Sequence, residues 1–169
     1  MNIVLKPLEK KHLEEATELY NYFVTNTTVT FHTEVFTPEE MATLLFQEES
    51  DIYTTLAVLD NEDFCGYAFL APYKKRQAYR ITAEISIYLK PEYTGKGIGK
   101  IVLEKMEQHA VNNGIHSLIA TICGENVASI KLFERNGYII CGALKEVGIK
   151  FGRSLDIVIM QKILDNKHD

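Results

Sequence analysis

Apolar residues recur with two periods along the 169-residue chain, and these periods divide it into helices and strands. Spacings of three and four residues predict amphipathic helices over 8–24, 37–49, 97–112 and 126–136. Alternation and short apolar runs rich in β-branched residues predict strands over 3–6, 53–59, 65–71, 79–89, 117–123, 138–144 and 155–160. The order β-α-α-β-β-β-α-β-α-β-β predicts an α+β fold with a mixed, mostly antiparallel sheet and a parallel βαβ portion after the long strand.

Cap and turn residues support these boundaries. Thr37, Pro38 and Glu40 form the pattern of a capping box with proline at the first helical position. Asn113-Gly114 supplies the residue type that ends a helix in the left-handed conformation. Residues 26–36, rich in Thr, Val and Phe, are expected to be extended or looped.

Composition and charge narrow the class of protein. With 46% hydrophobic and 24% charged residues, the chain has the make-up of a folded globular protein, and its length suits one domain over 1–169. Its apolar runs are far shorter than the ~20 residues of a membrane span, so we expect no membrane segment. The net charge of −5 argues against nucleic acid as the main partner.

The cysteines and the N-terminal residues indicate the cellular compartment in which the protein is expected. Cys65, Cys123 and Cys141 form no CxxC pair, so we expect buried thiols in a reducing compartment rather than disulfides. No histidine lies at ligand spacing from them, and we expect no metal. Residues 1–7 match neither a secretory signal nor a transit peptide, so the expected location is cytoplasmic.

A glycine-rich segment, Thr94-Gly95-Lys96-Gly97-Ile98-Gly99-Lys100, follows a predicted strand and opens a predicted helix. Glycine lets a ligand approach the backbone closely, and a helix N-terminus presents free N–H groups and a positive dipole end. Two lysines add charge, so the segment predicts a phosphate or pyrophosphate site. Its spacing fits neither the Walker pattern nor the GxGxxG dinucleotide pattern. The alternative is a glycine-rich turn that binds nothing.

The segment over 88–99 resembles the (Gln/Arg)-x-x-Gly-x-(Gly/Ala) motif of the GNAT family of N-acetyltransferases. Lys96 to Gly99 fit the motif, whereas Thr94 stands where Gln or Arg is usual. A second segment, 124–138, resembles the family's Asn…Ala…Leu…Gly-Tyr stretch, with Asn126 at the position that contacts the pantetheine arm. The two segments occur in the family's order and at its separation.

Further segments resemble the phosphinothricin/methionine sulfoximine acetyltransferase subgroup of that family. They are 28–31, 37–40, 78–80, 82–84 and 147–156, and only Ser154 departs from the aromatic residue common at its position. The resemblance covers nearly the whole chain. It implies one domain in which helices flank the sheet, a splayed βαβ site for acetyl-CoA, direct acetyl transfer and a homodimer.

The resemblance also assigns residues to the cofactor. These are Ile87, Tyr88, Leu89, Thr94, Gly95, Lys96, Gly97, Ile98, Gly99, Lys100, Asn126, Ser129 and Phe133. In the family, the backbone at 87–89 splays from the next strand and holds the acetyl carbonyl and the pantetheine arm. The alternatives are core and ladder residues at 87–89 and a plain helix N-cap at Asn126.

The general acid of many family members is a tyrosine at the position of Phe133, which has no proton to donate. A thiol has an ordinary pKa of ~8.5, so the CoA sulfur is able to leave as a thiolate without an acid. The resemblance then implies that Phe133 packs near the CoA sulfur.

Glu84 is the candidate general base. An amine must be neutral to attack a thioester, so a base assists the reaction. Glu84 lies among apolar and β-branched residues of the predicted strand 79–89, where a carboxylate is costly unless it has a partner or a function. The resemblance assigns the base to this position, and the alternative is a glutamate on the solvent side of the strand.

Candidate acceptor-binding residues lie on both sides of the predicted strand. Arginine binds a carboxylate at two points, so Arg76 is the first choice for an amino-acid carboxylate and Lys75 the second. A solvated loop of charges is the alternative. Phe31 and Tyr79 are candidates for an apolar slot or for core packing. The resemblance brings Lys150 to the substrate site, in some members across a dimer interface.

The sequence therefore predicts an acetyl-CoA-dependent N-acetyltransferase that acts on a small amino-acid-like amine, such as phosphinothricin, methionine sulfoximine or methionine sulfone. One alternative keeps the fold and acetylates a protein N-terminus or another amine. Another is a non-catalytic acyl-CoA-binding module, which only the missing tyrosine at Phe133 supports.

Overall fold

The computed structural model describes residues 1–46 and 50–164. The strands are β1 (Ile3–Pro7), β2 (Thr55–Asp60), β3 (Asp63–Pro72), β4 (Thr82–Leu89), β5 (Ser117–Cys123), β6 (Ile139–Lys150) and β7 (Arg153–Ile163). The α-helices are α1 (Leu13–Asn26), α2 (Pro38–Leu45), α3 (Ile98–Asn112) and α4 (Val127–Arg135). The strands form one sheet in the order β1-β2-β3-β4-β5-β7-β6.

Neighbouring strands of this sheet run antiparallel except β4 and β5, which run parallel. A parallel pair needs a crossover connection, and α3 provides it. The predicted order of elements and the mostly antiparallel mixed sheet are confirmed, and the fold class is α+β.

Helix α3 covers one face of the sheet. Its buried residues Ile98, Val102 and Met106 belong to one hydrophobic cluster with Ala83 and Ile85 of β4. Full burial of a large apolar side chain contributes about 1.5–3 kcal/mol. These contacts therefore fix the N-terminal half of α3 firmly against β4.

Helices α1 and α2 cover the opposite face through a second cluster, which includes Tyr20 and Met41. Side chains alternate along a strand, so Glu84, Ser86 and Tyr88 of β4 point to this side. Tyr88 packs against the second cluster, and its ring centroid lies 5.4 Å from that of Tyr20. The α3 side of β4 is therefore apolar, while its α1 side carries the polar Glu84 and Ser86 next to the second cluster.

The predicted strand 79–89 is wrong at its start. Residues Gln77–Ile81 form a 3-10 helix, and β4 begins at Thr82. The ring of Tyr79 packs edge-on against Tyr73, with centroids 5.7 Å apart. Aromatic packing within the loop, rather than strand pairing, accounts for the β-rich composition there.

The last two strands are longer than the predicted 138–144 and 155–160. A two-residue turn of Phe151 and Gly152 joins them, with φ values of 52° and 71°, and such turns match the twist of a hairpin. The register of β6 shifts between Leu144 and Gly148. This irregularity breaks the alternation from which the strand length was predicted.

The helix boundaries also differ from the prediction. Helix α1 begins at Leu13 after a 3-10 turn, whereas the pattern predicted a start at residue 8. The capping box of α2 is confirmed, because Glu40 N donates to Thr37 Oγ1 at 3.3 Å and Thr37 N donates to Glu40 Oε2 at 2.9 Å. Helix α2 ends at Leu45, and the predicted continuation over 47–49 lies outside the described residues.

Gly66 of β3 allows the end of β4 to approach very closely. A Cβ atom at Gly66 would lie 2.1 Å from the carbonyl oxygen of Tyr88. Just beyond this contact, Lys90 N donates to the carbonyl of Cys65 at 2.8 Å. The close approach anchors the end of β4 to β3, on the side away from β5.

We predict that Gly66→Ala destabilises the protein by about 3 kcal/mol, since the added methyl group meets backbone that must shift. Gly142→Ala is the matched control, because no atom lies within 4 Å of a Cβ there and its φ is not positive. Urea unfolding followed by circular dichroism measures both variants. Equal unfolding free energies for the two would contradict the prediction.

Candidate active site

The parallel pair β4–β5 is only partly formed. The register ends with Glu84 opposite Ile119, although both strands continue beyond these residues. On their outer sides, β4 stays paired with β3 and β5 with β7. We call the V-shaped gap between 85–89 and 120–123 the fork. Its two edges present peptide N–H and C=O groups to the gap, and such groups need hydrogen bonds from solvent or a ligand.

A narrow cavity of about 60 Å³ lies at the fork. Of the residues predicted to bind the cofactor, Ile87, Tyr88, Asn126, Ser129 and Phe133 line it. The other lining residues are Val29, Ile85, Ser86, Ala120, Thr121 and Ile122. The structure thus brings together side chains from β4, β5, α4 and the loop after α1.

The glycine-rich turn lies at the C-terminal end of β4. Gly95 and Gly97 have φ values of 70° and 80°, and Gly97 is the N-cap of α3. This left-handed conformation favours glycine. The N–H groups of the first turn of α3 have no intrahelical partner, and the exposed Lys96 and Lys100 flank them. The helix end and the two lysines together favour an anion.

Helices α3 and α4 meet at this end of the fork. A Cβ atom at Gly99 would lie 3.0 Å from Leu132 Cδ2, so the glycine permits close helix packing. Asn126 Oδ1 accepts a hydrogen bond from Ser129 N at 3.1 Å, which confirms the N-cap. Because α3 and α4 follow two parallel strands, their N-termini lie at the same edge of the sheet. Thr94, by contrast, donates its hydroxyl to the carbonyl of Pro91 at 2.7 Å.

Glu84 lies at the apex of the fork, in the last paired position of β4. Its side chain is half-buried and points to the α1 side of the sheet. Within residues 1–46 and 50–164, its carboxylate makes no hydrogen bond or ion pair. Partial burial of an unpaired carboxylate is unfavourable for stability, and this pattern is typical of a functional carboxylate.

The half-buried Tyr88 of β4 packs on this face with the buried Tyr20 and Tyr67. Burial raises the pKa of Tyr88, and the charge of Glu84 adds a smaller effect in the same direction. Burial also raises the pKa of Tyr20 and Tyr67. These phenols are therefore neutral at physiological pH. Tyr138, near Phe133, has its pKa raised by burial and then by the charge of Glu107.

The segment between β3 and β4 carries the candidate acceptor residues Lys75, Arg76 and Tyr79. The guanidinium carbon of Arg76 lies 5.5 Å from the centroid of the Tyr79 ring, a distance typical of a cation–π contact. Lys75 and Arg76 are exposed. The segment enters β4 just before Glu84, but none of these three residues lines the cavity at the fork.

Lys150 lies where its ammonium group supports the 27–36 loop. It is 3% exposed, and its Nζ donates to the carbonyl of Thr30 at 2.7 Å and to that of Phe23 at 3.4 Å. Burial lowers its pKa. The ring of Phe31 packs against Gly148, where a Cβ atom would lie 2.6 Å from it. These contacts give Lys150 and Phe31 structural roles in holding the loop.

A second set of contacts fixes the same loop. Arg153 pairs with Glu125 through two hydrogen bonds, of which Nη2 to Oε2 measures 2.9 Å. Thr28 Oγ1 donates to the same carboxylate at 3.2 Å. The hydrogen bonds from Arg153 lower the pKa of Glu125. The β6–β7 turn, the segment before α4 and the 27–36 loop therefore meet beside the fork.

The prediction of buried thiols is correct for Cys65 and Cys123 but wrong for Cys141, which is exposed on β6. Most side chains of β6, the strand at one end of the sheet, are exposed, and Cys141 is one of them. In the described part of the chain, no group of His, Cys, Asp or Glu side chains is arranged to hold a metal ion. None of the helices described is both long and apolar enough to cross a bilayer.

Sequence reasoning missed Ser86 and Thr121 as residues of the site. Thr121 is exposed on a strand whose neighbouring residues Ala120 and Ile122 are buried. The only signal in the sequence is a polar residue within an apolar run. Its exposure depends on the fork, which no local pattern reveals.

A sheet forked between two parallel strands, with a glycine turn and two helix N-termini at its open end, is suited to an elongated ligand with an anionic end. Residues 16–138 match the sequence profile of the acetyltransferase (GNAT) family. The chain belongs to this family and is an acetyltransferase.

Curated relatives and solved structures resemble nearly the whole chain. A phosphinothricin N-acetyltransferase from Streptomyces coelicolor is 33% identical over 165 residues, covering 96% of each chain. An L-methionine sulfoximine/L-methionine sulfone acetyltransferase from Salmonella typhimurium is 30% identical, covering 93% of this chain and 92% of the relative. A phosphinothricin acetyltransferase from Sinorhizobium meliloti, solved in complex with acetyl-CoA, has a TM-score of 0.89 and 33% identity. The match covers 97% of this chain and 89% of that one.

Proposed function

We propose that this protein transfers the acetyl group of acetyl-CoA directly to the amine of a small amino-acid-like substrate of the phosphinothricin, methionine sulfoximine or methionine sulfone type. Glu84 acts as the general base. The observation that carries the proposal is the unpaired, half-buried Glu84 at the apex of a fork whose open end suits an anion. The names of the relatives support the substrate class.

The residues around the fork fit acetyl-CoA. Peptide N–H groups over 95–99, with Lys96 and Lys100, would hold the pyrophosphate at the start of α3. The unpaired edge at 87–89 would pair with the amides of the pantetheine arm, much as an added strand pairs with a sheet edge. Asn126, Ser129 and Phe133 line the opposite wall of the cavity. Bound acetyl-CoA supplies the activated acetyl group.

The reaction requires a neutral amine and a stabilised oxyanion. Glu84 takes a proton from the acceptor ammonium group, and the nitrogen then forms a bond to the acetyl carbon. A backbone N–H at 87–89 donates to the developing oxyanion. As the bond between carbon and sulfur breaks, sulfur leaves with the electron pair, and the nitrogen releases its second proton to solvent to give the neutral amide. Phe133 excludes water beside the sulfur and supplies no proton, so the thiolate leaves unassisted.

The acceptor enters from the apex end. We propose that Arg76, with Lys75 beside it, binds the carboxylate of the acceptor. We propose that Tyr79 and Phe31 also contribute apolar contacts to the acceptor side chain. Lys150 acts mainly by holding the carbonyl of Thr30, which keeps the 27–36 loop against the fork.

We predict that Glu84→Gln lowers kcat about 10²- to 10⁴-fold near neutral pH, the usual loss when a general base is removed. The loss should diminish as the pH rises past the pKa of the acceptor amine, because the neutral amine no longer needs a base. Release of the CoA thiol with methionine sulfoximine as acceptor measures the rate. Glu92→Gln, an exposed neighbour of the glycine turn, is the charge-matched control. Undiminished turnover in Glu84→Gln would refute the assignment.

We predict that Arg76→Gln raises the KM of an amino-acid acceptor about tenfold to a hundredfold, with little change in kcat. This factor corresponds to the binding free energy that hydrogen bonds to a charged group usually contribute. Arg80→Gln, in the same segment, is the control, since its Nη1 already faces the carbonyl of Gln77 at 3.5 Å. An acceptor amide without the carboxylate should be insensitive to Arg76→Gln. Equal KM values for the two variants would contradict the proposal that Arg76 binds the acceptor carboxylate.

We further propose that the protein is a homodimer through β6. This strand forms one end of the sheet, and it exposes apolar side chains at Ile139, Ile140, Leu144, Val147 and Ile149. An uncovered edge strand with exposed apolar residues tends to pair with another chain. The proposal also places the enzyme in the cytoplasm, where Cys65, Cys123 and Cys141 stay as free thiols.

We predict that Ile149→Glu, at a position 75% exposed on β6, converts the dimer to a monomer, because the charge would be buried in an apolar interface. Sedimentation velocity measures the mass in solution. Ile101→Glu, on the exposed side of α3, is the control and should remain dimeric. A wild-type protein that sediments as a monomer would contradict the homodimer.

A further inference from the structure

One wall of the cavity at the fork comes from outside the sheet and the helices beside it. Of the described residues that line this cavity, Val29 belongs to the 27–36 loop, whereas the others belong to β4, β5 and α4 with its N-cap. The side chain of Val29 is half-buried, and it has no part in the reaction proposed above. An apolar side chain that a loop inserts beside a site is a candidate for setting the size of the ligand.

The cavity extends through the gap between β4 and β5, from one face of the sheet to the other. Phe133 belongs to the hydrophobic cluster on the α3 face. Val29 belongs to the loop after α1, and its neighbour Thr30 hydrogen-bonds through Oγ1 to the hydroxyl of Tyr20 at 2.8 Å, in the cluster on the opposite face. A ligand that enters beside α3 and α4 therefore meets Val29 at the far end of the cavity.

The chain is anchored on both sides of Val29. On the N-terminal side, Thr28 Oγ1 donates to Glu125 Oε2 at 3.2 Å. On the C-terminal side, the carbonyl of Thr30 accepts from Lys150 Nζ at 2.7 Å, and this ammonium group is buried. Movement of Val29 away from the fork would break these hydrogen bonds, and a buried group left without its partner is costly. Val29 is therefore a fixed wall rather than a flexible cover.

The space in front of this wall is small. The cavity measures about 60 Å³, which is room for about two groups the size of a water molecule, at ~30 Å³ each. A methyl group and a carbonyl group are of this size. The other walls include Ile85, Ala120 and Phe133, which are buried in the core, and a close-packed core resists the insertion of further methylene groups.

We propose that Val29 sets the acyl-chain specificity of the enzyme by closing the fork beyond the acetyl methyl group; this inference rests on the proposed function. With the pyrophosphate at the start of α3 and the thioester carbonyl at 87–89, the acyl chain points across the gap toward the α1 face. The two carbons of an acetyl group end short of Val29. A third carbon contacts its two methyl groups, and a fourth collides with them.

The test varies the size of the side chain at position 29 together with the length of the acyl chain. Release of the CoA thiol, with methionine sulfoximine as acceptor, gives kcat/KM for acetyl-, propionyl- and butyryl-CoA. Wild type should prefer acetyl- to butyryl-CoA by about 10- to 200-fold, the usual effect of one methylene group too many in an apolar pocket. Val29→Ala should raise kcat/KM for butyryl-CoA about tenfold and leave that for acetyl-CoA nearly unchanged. Val29→Ile should lower kcat/KM for propionyl-CoA about tenfold.

Val35→Ala is the matched control. Val35 lies in the same loop, is 57% exposed and is not among the residues that line the cavity at the fork. This variant should keep the wild-type preference among the three acyl-CoA substrates. Equal use of acetyl- and butyryl-CoA by the wild-type protein would overturn the inference. The same preference in Val29→Ala as in Val35→Ala would overturn it as well.

Calorimetry distinguishes a failure of this inference from a failure of the proposed function. CoA itself, which carries no acyl group, should bind wild type, Val29→Ala and Val29→Ile with equal affinity, whereas butyryl-CoA should bind Val29→Ala about tenfold more tightly than wild type. Weaker binding of CoA to Val29→Ala would overturn the inference, since the side chain would then hold the cofactor itself. A wild-type protein that binds acetyl-CoA but acetylates no amino-acid amine would refute the proposed function, and the calorimetric comparison would still decide the role of Val29.

Discussion

The separation of two parallel strands after a short paired region is the constraint on which the rest of the site depends. Peptide groups on the inner edges of β4 and β5 lose their ladder partners beyond Glu84 and Ile119, and buried peptide groups without partners are costly. The outer edges compensate, because β3 and β7 remain paired with these strands. The gap therefore persists as a preformed site for a chain that carries its own amides.

Local patterns in the sequence were sufficient for the elements and for the glycine turn before α3. Helix periodicity, the capping box at Thr37 and the glycine turn before α3 depend on residues close in sequence, and the structure confirms each of them. The strand boundaries failed where nonlocal or irregular features intervened. Tyr79 packs against another aromatic ring instead of entering β4. The register shift in β6 interrupts the alternation, so the prediction missed residues 145–150 of that strand.

The interior of the site was less predictable, because burial and partnership are properties of the fold. Lysine is a residue type that often binds a substrate, yet the ammonium group of Lys150 is buried against two backbone carbonyls. Threonine is a residue type common in β-strands, and Thr121 lies on an interior strand, yet the fork leaves its side chain exposed. Glu84 was identified by its residue type and by the resemblance. What the structure adds is that nothing in the described chain neutralises its charge.

Charge is distributed unevenly around the fork, and under the proposed function this distribution would order the reactants. The chain carries a net charge of −5, but Lys96 and Lys100 flank the glycine turn, and the 74–80 segment before β4 carries four further cations. Each end suits an anionic group of a different reactant, a pyrophosphate or a carboxylate. Between them the residues that line the cavity are apolar or neutral, and Glu84 lies at the apex. In the proposed reaction, an amino acid bound by its carboxylate at the basic segment places its cationic amine beside Glu84, where loss of its proton directs the free nitrogen toward the thioester.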